Sequence, residues 1–314
     1  MKNEIFVALS SFSENDERPL ELLKSSGYPF KIHNTGKRIT TPELFHNGVE
    51  AAVILAGVET YDAETLKGLP NLRCISRCGV GVDAIDLQAA KQSGVEVLNT
   101  PGIPTQAVAE LALTMFLALS RNLPRQINSM RERKWERLET HLLSGKTIGL
   151  IGFGSIGQRV AELCIAFGAK VIASDPFLAL SIAEKMNVSL VTKEQLLVVA
   201  DIVSLHASKS SDKSFTIDVN ELNLMKHGAY LVNLARGEMV NEVALVGALS
   251  SGKLAGVGLD VFGEEPYKGP LCGFEQVILT PHSATNTIET RSNMELKCVQ
   301  NALQFLQKNN VNNS

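Results

Sequence analysis

The chain has 314 residues, of which 45% are hydrophobic and 20% charged, with a formal net charge of −3. That length suits two domains with separate cores, and the near-neutral balance argues against a nucleic-acid or membrane partner. The apolar run in residues 1–9 is too short for a secretory signal, and the longest apolar stretch, 111–119, is too short to span a bilayer, so a cytoplasmic protein is expected.

In chain order, residues 5–9, 30–33, 51–56, 72–77 and 95–98 are short apolar runs that read as strands. Helical segments lie between several of them, such as 86–93 with Gly94 after its end. This pattern predicts a small flavodoxin-like unit with a parallel sheet. Pro101 and Pro104 flank the expected crossing point where the chain changes domain. Residues 105–120 form a helix that is apolar on most faces and therefore buried, in a core or between subunits. Residues 121–139 carry both charges and the single tryptophan, Trp135, and read as an intersubunit arm. Six further strands follow at 147–151, 170–174, 201–205, 229–234, 254–259 and 277–280, which matches a complete dinucleotide-binding sheet. The last helix, 286–308, follows Pro281 and is expected to return to the first domain, with a frayed tail at 309–314. The expected architecture is α/β with two doubly wound domains. A Rossmann NAD-binding domain (101–283) is inserted into a flavodoxin-like substrate domain (1–100 plus 284–314).

The cysteines are Cys74, Cys78, Cys164, Cys272 and Cys298. Their odd number and lack of zinc-type pairing predict buried free thiols and no metal site.

The strand at 147–151 runs into Gly152-Phe153-Gly154-Ser155-Ile156-Gly157. In a Gly-x-Gly-x-x-Gly motif the first glycine permits the tight turn, the second lets a pyrophosphate approach, and the third lets helix pack on strand. The helix start adds free N–H groups and a positive dipole end. The next strand ends at Asp175, roughly 20 residues downstream, where a carboxylate can bind a ribose diol and repel a ribose phosphate. NAD is thus expected in preference to NADP.

Three segments lie near the carboxyl ends of late strands, where ligands bind in open α/β sheets. Arg236 follows an apolar strand, and its guanidinium can hold a carboxylate or carbonyl through paired hydrogen bonds. Glu264 and Glu265 precede Pro266 after another strand, and either can orient a histidine. His282 follows Thr280-Pro281 at the end of a third strand, and histidine suits proton transfer near neutral pH. The other five histidines, His33, His46, His141, His206 and His227, read as structural, although His206 ends a strand of the nucleotide sheet.

These motifs, with Asn233-Leu234-Ala235-Arg236-Gly237-Glu238-Met239-Val240 and Gly258-Leu259-Asp260-Val261-Phe262, resemble those of the D-isomer-specific 2-hydroxyacid dehydrogenases. The resemblance covers essentially the whole chain and is nearest to the 3-phosphoglycerate dehydrogenase branch, without a regulatory domain. It implies a catalytic set of Arg236, Glu265 and His282, choosing Glu265 over Glu264. It places the cofactor at Gly152, Gly154, Ser155, Ile156, Gly157, Asp175, Ala235 and Asp260. It places the substrate at Arg77, Cys78, Gly79 and Val80, with Arg236. Backbone N–H groups of the turn Arg77-Cys78-Gly79-Val80-Gly81-Val82-Asp83 would receive the carboxylate. Cys78 stands where the family often has alanine, so a thiol is expected to face the pocket.

The resemblance implies hydride transfer between NAD and a D-2-hydroxy acid held between the domains, in a homodimer. The substrate it favours is 3-phosphoglycerate/3-phosphohydroxypyruvate. The alternatives are a hydroxypyruvate, glyoxylate or other 2-oxo acid reductase and, further off, a phosphite dehydrogenase or a non-catalytic NADH-sensing binding protein. Gln92 stands where the branch has a second phosphate-contacting arginine, and Ala284 where the family usually has glycine.

Overall fold

The computed structural model describes residues 3–33, 35–207 and 217–311. They form two compact units, residues 1–104 with 286–314 and residues 105–285. The divisions fall a few residues after the expected crossings, so Pro101 and Pro104 both belong to the first unit.

The first unit holds a five-stranded sheet in the order β2-β1-β3-β4-β5. Its strands are β1 (Glu4–Val7), β2 (Phe30–Ile32), β3 (Ala51–Ala56), β4 (Cys74–Arg77) and β5 (Glu96–Leu98). All neighbours run parallel, which is the flavodoxin-like order. β3 reads Ala-Ala-Val-Ile-Leu-Ala and is buried along its whole length, as a central strand covered on both faces must be. The carboxylate of Asp86 accepts from the N–H groups of Gln88 and Ala89 and caps the helix Leu87–Gln92. The long helix Ile288–Val311 packs on β3 and β4. It extends beyond the residue expected to end it, through part of the segment predicted to fray; residues 312–314 lie outside the described residues.

The second unit holds a seven-stranded sheet in the order β12-β11-β10-β9-β6-β7-β8. Its strands are β6 (Thr147–Ile151), β7 (Lys170–Ser174), β8 (Ser189–Leu190), β9 (Ile202–Leu205), β10 (Ala229–Asn233), β11 (Leu254–Leu259) and β12 (Val277–Leu279). All pairings are parallel. The order reverses between β6 and β9, which is the switch point where nucleotides bind in such sheets. The sequence predicted six strands; the additional one, β8, has two residues, too few to carry a hydrophobic period.

The helix Thr105–Ser120 forms over the predicted residues and buries Ala109, Ala112, Met115 and Phe116 in the core of this unit. Its approach to β11 is close. A Cβ on Gly258 would stand 2.9 Å from the Met115 sulfur. The following helix is shorter than the predicted arm, Leu123–Arg131. No helix among the described residues is long and apolar enough to cross a membrane, and none of their side chains cluster as a metal site.

Candidate active site

β10, β11 and β12 are consecutive parallel neighbours. Their carboxyl ends therefore project three loops from one edge of the second unit, carrying Arg236, Glu265 and His282. The Arg236 turn is shaped by Asn233, whose side chain is 1% exposed. Its Oδ1 accepts from the Ala235 N–H at 3.0 Å, and its amide donates to the Arg236 carbonyl at 2.7 Å. The Arg236 Nη1 donates to the Ala235 carbonyl at 2.6 Å.

Gly237 brings the next loop close. A Cβ there would overlap the carbonyl carbon and oxygen of Phe262. Only a glycine lets the loop bearing Glu265 lie against the Arg236 turn. Glu265 Oε1 accepts from the Phe262 N–H at 3.1 Å, and Oε2 meets His282 Nδ1 at 2.9 Å. Both oxygens of the carboxylate are thus engaged. The structure brings Glu265, not Glu264, to the histidine.

His282 has φ +50°, a left-handed conformation uncommon for a side-chain-bearing residue. Its N–H donates to the Thr280 carbonyl at 2.9 Å. The turn is anchored by Asp260, which is fully buried at the end of β11. Asp260 Oδ1 accepts from the Thr280 hydroxyl at 2.6 Å and the Ser283 N–H at 2.8 Å, and Oδ2 accepts from the Ala284 N–H at 2.9 Å. A buried carboxylate needs such donors. Sequence reasoning assigned Asp260 to the cofactor and missed this role. The available signal was an acid at the end of a buried strand with no basic residue beside it in the chain.

The same unit holds the glycine motif. Gly152 has φ +92°, and a Cβ there would strike the Ala207 nitrogen and His206 carbonyl carbon. A Cβ on Gly157 would strike the Gly152 carbonyl. Around Gly154 the Cβ position is open, and Gly154 begins the helix Ser155–Ala166 with no side-chain cap. The first-turn N–H groups thus face open space, as an anion site at a helix start requires. The Asp175 carboxylate is held at the end of β7 by the N–H groups of Phe153 at 2.8 Å and Phe177 at 2.9 Å. These features fit a dinucleotide. His206 bonds through Nε2 to the Ser204 hydroxyl at 2.8 Å, and burial pushes its pKa down to about 4.

In the first unit the turn after β4 corrects one expectation. The Cys78 N–H continues the sheet ladder to the Ala56 carbonyl at 2.9 Å, and the Gly79 N–H meets Thr100 Oγ1 at 3.0 Å. Among the described residues, the N–H groups of Val80 and Gly81 have no acceptor. Within the turn 77–83 the N–H groups of Cys78 and Gly79 are thus engaged, and those of Val80 and Gly81 are left open. The Cys78 side chain is 4% exposed and turned into the core, because position 78 shares the face of the strand that packs on the long helix. Arg77 folds its guanidinium onto the Cys78 carbonyl and over Gly79. Burial pulls Arg77 below its ordinary pKa and pushes its neighbour Glu59 up.

Comparison with known proteins agrees with this architecture. Residues 113–284 match the family described as D-isomer specific 2-hydroxyacid dehydrogenase, NAD binding domain. The chain is 39% identical over 247 residues to the D-3-phosphoglycerate dehydrogenase of Archaeoglobus fulgidus, covering 77% of this chain and 47% of that protein. It spans about half the length of the first such relatives it matches. It is 38% identical over 277 residues to the hydroxypyruvate reductase of Thermotoga maritima, covering 86% of this chain and 90% of that protein. Among solved structures, the D-lactate dehydrogenase of Aquifex aeolicus, complexed with NAD and lactic acid, is similar with a TM-score of 0.85 and 29% identity. That match covers 98% of this chain and 96% of that one. The chain belongs to the D-isomer specific 2-hydroxyacid dehydrogenase family, and residues 113–284 are its NAD-binding domain.

Proposed function

We propose that the protein is an NAD-dependent oxidoreductase interconverting a D-2-hydroxy acid and its 2-oxo acid, with Arg236, Glu265 and His282 as the catalytic set. The observation that carries this reading is the 2.9 Å bond from His282 Nδ1 to Glu265. With Nδ1 committed as a donor to a carboxylate, Nε2 is the nitrogen left to exchange a proton with substrate. In reduction, protonated His282 gives its Nε2 proton to the oxygen of the 2-oxo group. In oxidation, neutral His282 takes the hydroxyl proton. Glu265 holds the ring and stabilises its charged form. Arg236 orients the 2-oxo acid and polarises its carbonyl. NAD, when bound, supplies the hydride acceptor. The open start of the helix Ser155–Ala166, including Ser155, Ile156 and Gly157, would hold its phosphates, and Asp175 its adenine ribose. Ala235 and Asp260 are assigned to the nicotinamide end. The N–H groups of Val80 and Gly81, together with Gly79 and Arg77, are assigned to the substrate.

The substrate favoured by the sequence is 3-phosphohydroxypyruvate with 3-phosphoglycerate. A small unphosphorylated 2-oxo acid such as hydroxypyruvate or glyoxylate is the second reading. It is favoured by Arg77, whose guanidinium is bonded to the Cys78 carbonyl, and by Gln92 in place of a second arginine. A homodimer is also proposed. Ile127, Met130, Trp135 and Leu142 are exposed at 46%, 55%, 81% and 70%, an apolar series that suits contact with a second copy. A cytoplasmic location goes with this reading.

The test is NADH oxidation with 3-phosphohydroxypyruvate, hydroxypyruvate, glyoxylate and pyruvate, and NAD reduction with phosphite. Turnover highest on 3-phosphohydroxypyruvate supports the first reading, and turnover highest on an unphosphorylated acid supports the second. Turnover only on phosphite would contradict both. Tight NADH binding with no turnover on any of them would mark a nucleotide-sensing protein instead.

A further inference from the structure

Glu265 sits on a loop that follows β11, and the two ends of that loop are held together by their rings. The ring centroids of Phe262 and Tyr267 are 4.3 Å apart and the planes are inclined by 18°, a stacked pair. Both side chains are half-buried against the core of the second unit. Between them Gly263, Glu264, Glu265 and Pro266 are exposed. A cavity of about 500 Å³ lies between the loop and the helix Glu242–Ser250, lined by Glu242, Leu245, Phe262, Pro266 and Tyr267 among others. Glu265 does not line it, because its carboxylate is turned to His282. The space beneath the loop is hollow, so packing from below does not brace it.

We propose that Tyr267 is a positioning residue for the reaction, which acts by fixing Phe262 and through it the carboxylate of Glu265. Tyr267 is itself anchored at two points. Its hydroxyl accepts from the Leu271 N–H at 3.2 Å, and Leu271 is 1% exposed in the short helix Pro270–Gly273. A Cβ on Gly269 would stand 2.3 Å from the Tyr267 hydroxyl oxygen and 2.5 Å from the ring carbon that bears it. The chain therefore passes directly over the ring, with room there only for glycine. Phe262 is gripped in turn by the Tyr267 ring and by Gly237, which lies against its carbonyl. The Phe262 N–H donates to Glu265 Oε1 at 3.1 Å, which leaves Oε2 aimed at His282 Nδ1 at 2.9 Å. The inference rests on the reading of Glu265 and His282 as members of the catalytic set.

An exposed loop over a cavity samples many backbone conformations unless its ends are tied. A stacked aromatic pair and a neutral hydrogen bond each bias such an equilibrium by about 2- to 10-fold. Tyr267→Leu removes both and still presents an apolar side chain to the core. Fewer molecules then hold Glu265 against the imidazole, and kcat should fall by about 10-fold. Tyr267→Phe keeps the stack and loses only the hydroxyl, so its kcat should stay within about 3-fold of native. Substrate and NADH are held by other residues, so neither KM should follow kcat.

The experiment is a double-mutant cycle on the full chain: native, Tyr267→Leu, Glu265→Ala and the variant carrying both, with Tyr267→Phe as the conservative control. For each, kcat and the KM for NADH and for the best 2-oxo acid are measured, and crystal structures are determined for native and Tyr267→Leu. A residue that acts only through Glu265 has nothing to position once that side chain is gone. Tyr267→Leu should therefore lower kcat by about 10-fold in the native background and by less than about 2-fold in the Glu265→Ala background. In the crystal of Tyr267→Leu, the distance from Glu265 Oε2 to His282 Nδ1 should exceed about 3.5 Å. An equal fall of kcat in both backgrounds, or an equal fall in Tyr267→Phe and Tyr267→Leu, would overturn the proposal. So would a Tyr267→Leu crystal that keeps the 2.9 Å contact. If Glu265→Ala turns over like native, or native turns over no 2-oxo acid, the catalytic reading has failed instead, and the crystal distance alone decides whether Tyr267 places Glu265. If Tyr267→Leu gives no folded protein in urea unfolding, Phe262→Leu breaks the stack from its other side and carries the same expectations.

Discussion

Replacing Asp260 with asparagine tests how the histidine is held. The change keeps the side-chain shape, so no cavity forms. It removes the charge and leaves one acceptor oxygen where the carboxylate has two. In the native turn, Oδ1 serves the Thr280 hydroxyl and the Ser283 N–H, while Oδ2 serves the Ala284 N–H. With an amide, one of the two backbone N–H groups must face an NH₂. Losing a hydrogen bond to a charged group costs about 1.5–3 kcal/mol, and a buried unsatisfied donor costs about 1–3 kcal/mol. Allowing for overlap between these two costs, the loss of stability is about 3–5 kcal/mol. The segment that relaxes is the one holding His282 at φ +50°. A displacement of about 1 Å in a catalytic group costs on the order of 10²-fold in rate. Urea unfolding should therefore show the lower stability, and kcat should fall on the order of 10²-fold at saturating NADH and 2-oxo acid. If Asp260 acted only through the nicotinamide, the KM for NADH would rise while unfolding stayed unchanged. A variant within about 0.5 kcal/mol of wild type, inside the range of neutral surface changes, and with unaltered kcat would refute the anchoring argument.

Gly237→Ala places a Cβ on the Phe262 carbonyl, and backbone cannot give way as a side-chain tip can. Unfolding should show a loss of about 1–3 kcal/mol, and turnover should fall because the Phe262–Glu265 segment is displaced. Asp175→Ala removes the proposed ribose acceptor and the bond to the Phe153 N–H. Fluorescence titration should show NADH binding weakened by about 10- to 100-fold, corresponding to about 1.5–3 kcal/mol, with NADPH affected less. His206 is held down at about 4 by burial against an ordinary value of 6.5. A lowered folded-state pKa means the unfolded chain takes up the proton first, so this contribution to stability is present above pH 6.5 and lost as pH falls toward 4. Urea unfolding from pH 7.5 down to 4.5 should show that decline, and His206→Gln should flatten it; parallel curves for the two proteins would refute it.

Much of the fold was legible because its signals are local. β3, β6, β7 and β11 begin and end where their apolar runs do, and the helix Thr105–Ser120 occupies the predicted residues. Gly152 and Gly157 could be read because each meets a steric demand that other residues fail, and Gly154 because its position at the helix start is left open. Arg236, Glu265 and His282 could be read as strand-end residues, and the choice of Glu265 over Glu264 came from the family resemblance. What escaped the sequence depends on partners far away in the chain. Asp260 reaches Ser283 and Ala284 across the sheet. Gly237 is required by the backbone of Phe262, which no local pattern reveals. The direction of the Cys78 thiol is set by a helix more than two hundred residues later, through Ser76 and Cys298. Which N–H groups of the turn remain open depends on Ala56 and Thr100.

The central claim is that His282 moves the proton. The direct measurement is kcat of His282→Ala on the best 2-oxo acid of the panel, alongside its dissociation constant for NADH. The side chain is 53% exposed, so its removal leaves the core intact. The account predicts turnover lower by about 10²- to 10⁴-fold, the usual contribution of a positioned acid–base group, with NADH bound as tightly as before. Near-normal turnover in that variant would contradict it.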